Sequence, residues 1–66
     1  MKTLQNFQIE NHLAEALEFA LLEKGFLAQV KDQTKGDFRT TFKMLVSDSE
    51  VEAVDNAIEE VQFSNS

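Results

Sequence analysis

The chain switches between two spacings of apolar residues, and each spacing predicts a different element. Near the start, Phe7 and Ile9 alternate with polar neighbours, which is typical of a strand with one face in water. The next apolar residues recur at three and four positions and form one helical stripe. The sequence therefore predicts a strand over 3–10 and then a helix with Asn11 as its N-cap and Gly25 at its C-terminal end. The stripe comprises Leu13, Ala16, Leu17, Ala20 and Leu21.

Two further strands and a second helix follow. Residues 26–33 alternate again and predict a second strand, and the turn over 34–37 contains Gly36, which we expect at positive φ. The third strand, 38–46, is the clearest in the chain. Its core phase comprises Phe38, Thr40, Phe42, Met44 and Val46.

Two overlapping capping-box patterns mark the start of the second helix. They are Ser47-x-x-Glu50 and Ser49-x-x-Glu52, in which a hydroxyl and a carboxylate satisfy free backbone N–H groups at a helix start. The helix behind them has an apolar face made of Val51, Val54, Ile58 and Val61.

The element order is therefore β-α-β-β-α, which predicts a two-layer α+β fold. A helix between the first two strands favours a parallel relation, and the next two strands form a hairpin, so we expect a three-stranded mixed sheet with both helices on one face. This order resembles a ferredoxin-like fold that lacks its last strand. We expect one domain over 1–66, with residues 63–66 as a frayed tail.

Charge narrows the choice of partners. The 66 residues carry twelve acidic and six basic side chains, a net charge of −6, and no cysteine. Residues 1–43 are balanced, whereas 44–66 hold six acids and no Lys or Arg. Such a balance argues against binding to nucleic-acid phosphates. The sequence has no apolar run of membrane-spanning length, so we expect a soluble cytoplasmic protein that does not bind membranes.

Catalytic and metal-binding patterns are weak. His12 is the only histidine, no serine has an orienting base in sequence context, and the acids of Asp48-x-Glu50-x-Glu52 are explained by the start of a helix. The two glycines stand apart, so no phosphate-binding glycine loop is present. We expect no enzymatic activity, no cofactor and no metal site.

Two surface features suggest interfaces. On the first helix, Phe19 and Leu22 fall outside the apolar stripe, and on the second helix the acids form a ridge. We expect both to bind a partner. The open face of the sheet could be covered by a second copy, so we expect a homodimer. The predicted ridge is Glu52, Asp55 and Glu59, and the predicted open face holds Leu27, Lys31, Arg39, Lys43 and Leu45.

Two functional hypotheses follow. In the first, the chain is a small acidic protein that docks on a basic surface of a partner protein and inhibits or regulates that partner. The basic surface would be one that binds nucleic acid. In size and charge the chain is similar to compact phage proteins that act against host nucleases and restriction or interference systems. In the second, a dimer of half-ferredoxin type senses a small ligand, for which only Lys35, Gly36 and Arg39 are candidate contacts.

Overall fold

The computed structural model describes residues 1–65 and confirms the β-α-β-β-α order of a small α+β fold. Two short 3₁₀ turns, Asn11–Leu13 and Leu27–Gln29, flank the first helix. Both helices pack on the same side of a three-stranded sheet. The elements are β1 (Thr3–Glu10), α1 (Ala14–Lys24), β2 (Val30–Lys35), β3 (Arg39–Val46) and α2 (Asp48–Ser64).

The sheet is antiparallel rather than mixed, which corrects one detail of the predicted fold. Its order is β1-β3-β2, and β3 pairs antiparallel with both neighbours. Strands β1 and β2 do run in the same direction, as a helical crossover favours. They never pair with each other, however, because β3 inserts between them.

One hydrophobic core lies between the sheet and the helices. The predicted phase of β3 is confirmed, because Phe42, Met44 and Val46 are fully buried, and Thr40 is nearly so. Burying these side chains contributes most of the stability that a domain of this size has. The other buried apolar residues are Phe7, Ile9, Leu13, Leu17, Leu21, Val54, Ala57 and Val61.

Asn11 does not cap α1. The chain enters the helix through a 3₁₀ turn, so the N-cap position falls on Leu13, which has no side-chain capping bond. The Asn11 amide instead donates to the carbonyl of Gly36 at 2.9 Å and accepts from the hydroxyl of Thr40 at 2.8 Å. The Asn11 side chain therefore makes tertiary hydrogen bonds instead of the helix-capping bond that the local sequence pattern predicted.

The C-terminal end of α1 confirms the role predicted for Gly25. Its φ of 82° lies in the left-handed region, and the N–H of Phe26 reaches the carbonyl of Leu21 at 2.8 Å. The predicted second strand begins too early, because Leu27–Gln29 form a 3₁₀ turn and β2 starts only at Val30. Chain reversal after the helix uses these residues before pairing can begin.

The turn between β2 and β3 also differs from the prediction. Gly25 is the only glycine with positive φ among the described residues, so Gly36 serves another purpose. A Cβ on Gly36 would meet the carbonyl oxygen of Arg39 at 2.9 Å, and this close approach excludes a side chain. Phe38 precedes β3 and is 83% exposed, so its predicted place in the core is wrong.

The second helix begins as predicted and ends later than predicted. The N–H of Ser47 donates to a Glu50 carboxylate oxygen at 2.9 Å, so the first of the two overlapping capping boxes marks the start of α2. The helix continues to Ser64, so residues 63 and 64 are helical rather than frayed. Residue 66 of the predicted tail lies outside the described residues.

Candidate protein-binding surface

The two layers of the fold carry opposite net charge. Helices α1 and α2 contain nine acidic residues and one basic residue, Lys24, which gives the helical layer a net charge of −8. The sheet, turns and N-terminal residues contain three acids and five bases, a net charge of +2, which completes the total of −6. The acidic character is thus a property of the helical layer as a whole, including α1.

Exposed apolar side chains lie on the first helix, where they were predicted. Phe19 is 58% exposed and Leu22 is 57% exposed. Both line a groove of about 390 Å³, which we call the α1 groove, together with Leu27 and the carboxylates of Glu15 and Glu18. An apolar floor with an acidic rim can accept an apolar side chain flanked by cations.

Phe19 also borders the furrow between the two helices. It lines a shallow depression of about 230 Å³ with Glu60 of α2, and across this furrow Lys24 and Glu60 approach to 3.4 Å. Phe63 lies beside Glu59 and Glu60 on the next turn of α2 and is 84% exposed. We call this outer surface of α1 and α2 the helical face, and Phe19 is near its centre.

The acidic ridge lies on the exposed side of α2, between the positions of Glu60 and Gln62 around the helix. Glu60 marks the side of α2 toward α1, whereas Gln62 donates to Glu10 of β1 at 2.9 Å and marks the opposite side. Asp55 and Glu59 precede Gln62 by seven and three residues, so helical periodicity places them on the Gln62 side. Glu52 completes the ridge, and all three acids are exposed.

The two predicted partner-binding clusters therefore do not form one compact site. The α1 groove, with Phe19 at its border, lies on the side of α1 away from α2, whereas the ridge lies on α2, where Glu59 is beside Phe63. A partner that engages both clusters has to cover the helical face from one flank to the other. The extents of the molecule, 33 × 22 × 16 Å, make this a surface of ordinary size for a small protein interface.

The open face of the sheet differs from the prediction in one of its five residues, Leu27. Arg39, Lys43 and Leu45 are in the outward phase of β3, as predicted. Leu27, by contrast, lies in the 3₁₀ turn and lines the α1 groove. Lys31 occupies the position where the register between β2 and β3 shifts, so it bulges out of the ladder.

Acidic and apolar partners that the sequence pattern did not identify share this open face. Glu10 pairs opposite Arg39, Asp32 opposite Lys43, and Leu4 opposite Leu45. Directly opposed residues of an antiparallel pair are neighbours, so Asp32 lies beside Lys43, whereas the carboxylate of Glu10, opposite Arg39, accepts a hydrogen bond from Gln62 of α2. The open face therefore carries Arg39 and Lys43, one acid beside Lys43, and one apolar pair at its end. Only the strand register, which sequence does not fix, could have revealed these neighbours.

Local hydrogen bonding perturbs one carboxylate of the helical layer. The backbone N–H of Ser47, followed by its side chain, holds the pKa of Glu50 below the ordinary value, and Lys2, 3.5 Å away, acts in the same direction. Glu50 thus acts as a capping residue. Within residues 1–65 no three metal-binding side chains cluster together, and neither helix has the length and apolar character needed to cross a membrane.

Comparisons with known proteins add no relative. No family model, no curated protein and no solved structure matches the chain. The likeness to a ferredoxin-like fold without its last strand consequently rests on element order and strand order.

Proposed function

We propose that the protein is a small acidic, non-enzymatic binding protein that docks its helical face on a basic surface of a protein partner and thereby inhibits or regulates it. The observation that carries the proposal is the net charge of −8 on a helical layer that also exposes Phe19 and Leu22. Proteins that handle nucleic acid carry clustered basic residues on the surface that binds it, so we propose a partner of that kind. A phage-type inhibitor would act in this way.

Charge and apolar groups have separate roles in this proposal. The acidic field attracts the basic partner over distances of about a Debye length, which is roughly 8 Å at physiological salt, and so speeds association. Phe19 and Leu22 supply the buried contacts that keep the complex together, since apolar and aromatic anchors usually account for most of the binding free energy.

The ligand-sensing alternative gains no specific support. Its candidate contacts lie in the β2–β3 turn, where the N–H of Gly36 donates to Arg39 at 2.8 Å and the Gly36 carbonyl accepts from Asn11 at 2.9 Å. Backbone groups that already bond to each other are not free to recognise a ligand.

A charge-matched pair of variants tests the proposal. The immobilised protein is used to capture partners from a native lysate, in parallel with Asp55→Asn/Glu59→Gln and with Asp32→Asn/Asp37→Asn. Both doubles remove two negative charges, the first from the helical layer and the second from the sheet layer and its turn. We expect a basic protein that elutes with salt and is depleted several-fold on the first double only.

Three results would contradict this proposal. One is equal depletion on both doubles, which would mean that net charge rather than the helical face attracts the partner. The second is an acidic captured protein. The third is a captured basic protein whose own activity on nucleic acid is unchanged when the complex forms, because binding without an effect is not regulation.

A further inference from the structure

The two edges of the sheet differ in how they are protected. Strand β2 is short, has a bulge at Lys31 and contains a second lysine, Lys35, all of which discourage pairing with another strand. Strand β1 has eight residues in unbroken register with β3 and contains no lysine and no proline. Within residues 1–65 nothing pairs with its outer side, because β1 ends the strand order. The unprotected edge is therefore the β1 edge.

The register identifies the backbone groups that this edge offers. The N–H of Asn11 donates to Phe38 at 3.0 Å and extends the β1–β3 register by one pair. Hydrogen-bonded pairs recur at every second residue, so the odd-numbered residues of β1 bond to β3. The N–H and C=O groups of Leu4, Asn6, Gln8 and Glu10 consequently point away from the sheet.

Helix α2 packs on the helical side of the sheet, next to this edge. Contacts tie it to both ends of β1, since Glu50 approaches Lys2 at 3.5 Å and Gln62 donates to Glu10 at 2.9 Å. Val51 and Ile58 lie eleven and four residues before Gln62, on the same side of the helix, and are only half-buried. Gln5 faces the helical layer opposite the buried Met44 and is nevertheless exposed. The space beside β1 and below α2 is therefore open, and we call it the β1 slot.

The β1 slot has the geometry of a missing strand. In the ferredoxin-like order that this fold resembles, one more strand follows α2, and the vacant position under α2 is beside β1. An extended segment placed there would bond to the outward groups of β1 and set alternate side chains against Val51 and Ile58. This mode of recognition, addition of a strand to a sheet edge, is used by several peptide-binding folds.

We propose that the β1 slot binds an extended basic segment of the protein partner, which adds as a fourth strand. The inference rests on the proposed function, because it states how the basic partner is held. Its occupant is chosen by charge: Asp55, seven residues before Gln62, lies on the β1 side of α2, Glu59 is exposed one turn further along, and within the described residues neither has an ion-pair partner. A lysine or arginine directed toward α2 can lay its apolar stem on Ile58 and place its charge beside these acids.

A second copy of the chain fits the β1 slot less well. Antiparallel pairing of two β1 strands about a two-fold axis would bring the α2 helices of both copies side by side. Each helix would then present Asp55 and Glu59 to the same residues of its partner, and like charges at that separation repel. The charge of the slot thus favours a basic partner over self-association.

The first experiment uses the full chain and a synthetic probe. The probe is an eight-residue peptide of alternating lysine and threonine with blocked ends, and its control replaces each lysine with glutamate. We expect the lysine peptide to slow amide exchange by about tenfold or more at Leu4, Asn6, Gln8 and Glu10, measured by NMR, and the glutamate peptide to have no such effect. The amide N–H groups of Gln33 and Lys35 on the β2 edge should not change.

Proline substitutions supply a matched pair of variants. Asn6→Pro removes one outward N–H of β1 and no bond to β3, and Gln33→Pro does the same on the outer side of β2. We expect Asn6→Pro to weaken peptide binding by about tenfold and Gln33→Pro to leave it within about twofold. Should Asn6→Pro unfold the protein, the exchange map of the wild type still decides, because it needs no variant.

Several outcomes would overturn this inference. They are protection at the β2 edge instead of the β1 edge, equal effects of both proline variants, and absence of binding by the lysine peptide. Protection of β1 that grows with protein concentration alone would identify a second copy as the occupant. If Phe19→Ala weakens binding of a native partner but Asn6→Pro does not, the helical-face proposal stands and the strand-addition inference fails.

Discussion

The buried hydroxyl of Thr40 donates a hydrogen bond of 2.8 Å to the side-chain oxygen of Asn11. Thr40 is the one buried polar residue among the described residues. Asn11 also holds the β2–β3 turn, because its side-chain amide donates to Gly36 and its backbone N–H donates to Phe38. One asparagine thus joins the end of β1 to the β2–β3 turn at the same end of the sheet.

We expect the Asn11–Thr40 pair to behave as a coupled unit. Asn11→Ala leaves the buried Thr40 hydroxyl without its acceptor and should lower the free energy of unfolding by about 1–3 kcal/mol. Thr40→Val keeps the shape of the side chain, so the double variant should be less destabilised than the sum of the singles. Urea unfolding of the four proteins measures this coupling. Additive effects would show that the two side chains act independently.

A second prediction concerns Phe38 and Phe42, the two phenylalanines of the predicted β3 core phase. Phe42 is fully buried, so Phe42→Ala should cost about 3–5 kcal/mol, enough to unfold a domain of this size. Phe38→Ala is the control and should change stability by less than about 0.5 kcal/mol, because that ring is exposed. Urea melts followed by circular dichroism compare them, with Phe42→Leu as a milder variant that stays folded. Equal losses at both positions would contradict the strand boundary at Arg39.

Local periodicity determined most of the fold. The alternation of apolar residues located β1 and β3, and the three- and four-residue spacing located both helices, because each pattern reflects which face of an element is buried. Gly25 and Ser47 could be assigned to helix ends since their roles depend only on neighbours in sequence. The β1-β3-β2 order, with β3 between the other two strands, was not predicted and is known only from the structure.

The failures involve residues whose partners are distant in sequence. Asparagine is a preferred N-cap residue, yet the Asn11 side chain hydrogen-bonds to Gly36 and Thr40, more than twenty residues away. Phe38 continues the alternation of β3 but falls in a turn where the strand has not begun. Gly36 needs space rather than positive φ, and that need arises from the carbonyl of Arg39 across the turn.

The sequence predicted which residues form the candidate surfaces, but not where these surfaces lie relative to one another. Exposure of Phe19 and Leu22 followed from the helical stripe, and so did the ridge on α2. Their position relative to each other depends on how α1 packs against α2, which the salt bridge between Lys24 and Glu60 reveals. The β1 slot was not predicted, because an open edge becomes visible only when strand order and register are known.

A third prediction uses the lowered pKa of Glu50. A carboxyl whose pKa falls on folding adds stability above its unfolded pKa and loses that contribution as pH drops through the folded value. The stability of the wild type relative to Glu50→Gln should therefore shrink as the pH is lowered through this acid range. Glu52→Gln, outside the cap, serves as the control and should follow the wild-type profile more closely. A constant difference between wild type and Glu50→Gln would mean that the Ser47 bonds do not stabilise the charge.

A fourth prediction addresses the homodimer, which the open face of the sheet would form. The apolar residues of this interface would be Leu4, which is 56% exposed, and its cross-strand neighbour Leu45. We expect the wild type to sediment as a dimer at tens of micromolar and Leu45→Lys to sediment as a monomer. Leu22→Lys changes charge equally on the helical face and should remain dimeric. A wild-type monomer of 7.5 kDa under these conditions would exclude this interface.

The last prediction separates the two roles assigned to the helical face, once a basic partner is in hand. Phe19→Ala should raise the dissociation rate and leave the association rate nearly unchanged, because a short-range apolar contact acts only after docking. Glu52→Gln/Asp55→Asn/Glu59→Gln should mainly slow association, and this effect should fade as salt shortens the Debye length from about 10 Å at 0.1 M to about 3 Å at 1 M. Phe38→Ala controls for the loss of an exposed ring, because Phe38 lies in the β2–β3 turn and not on the helical face. Surface plasmon resonance over a salt series gives both rates. Association that is insensitive to salt and to the triple substitution would leave the ridge as a solubility feature, and the acidic layer would no longer explain how the partner is chosen.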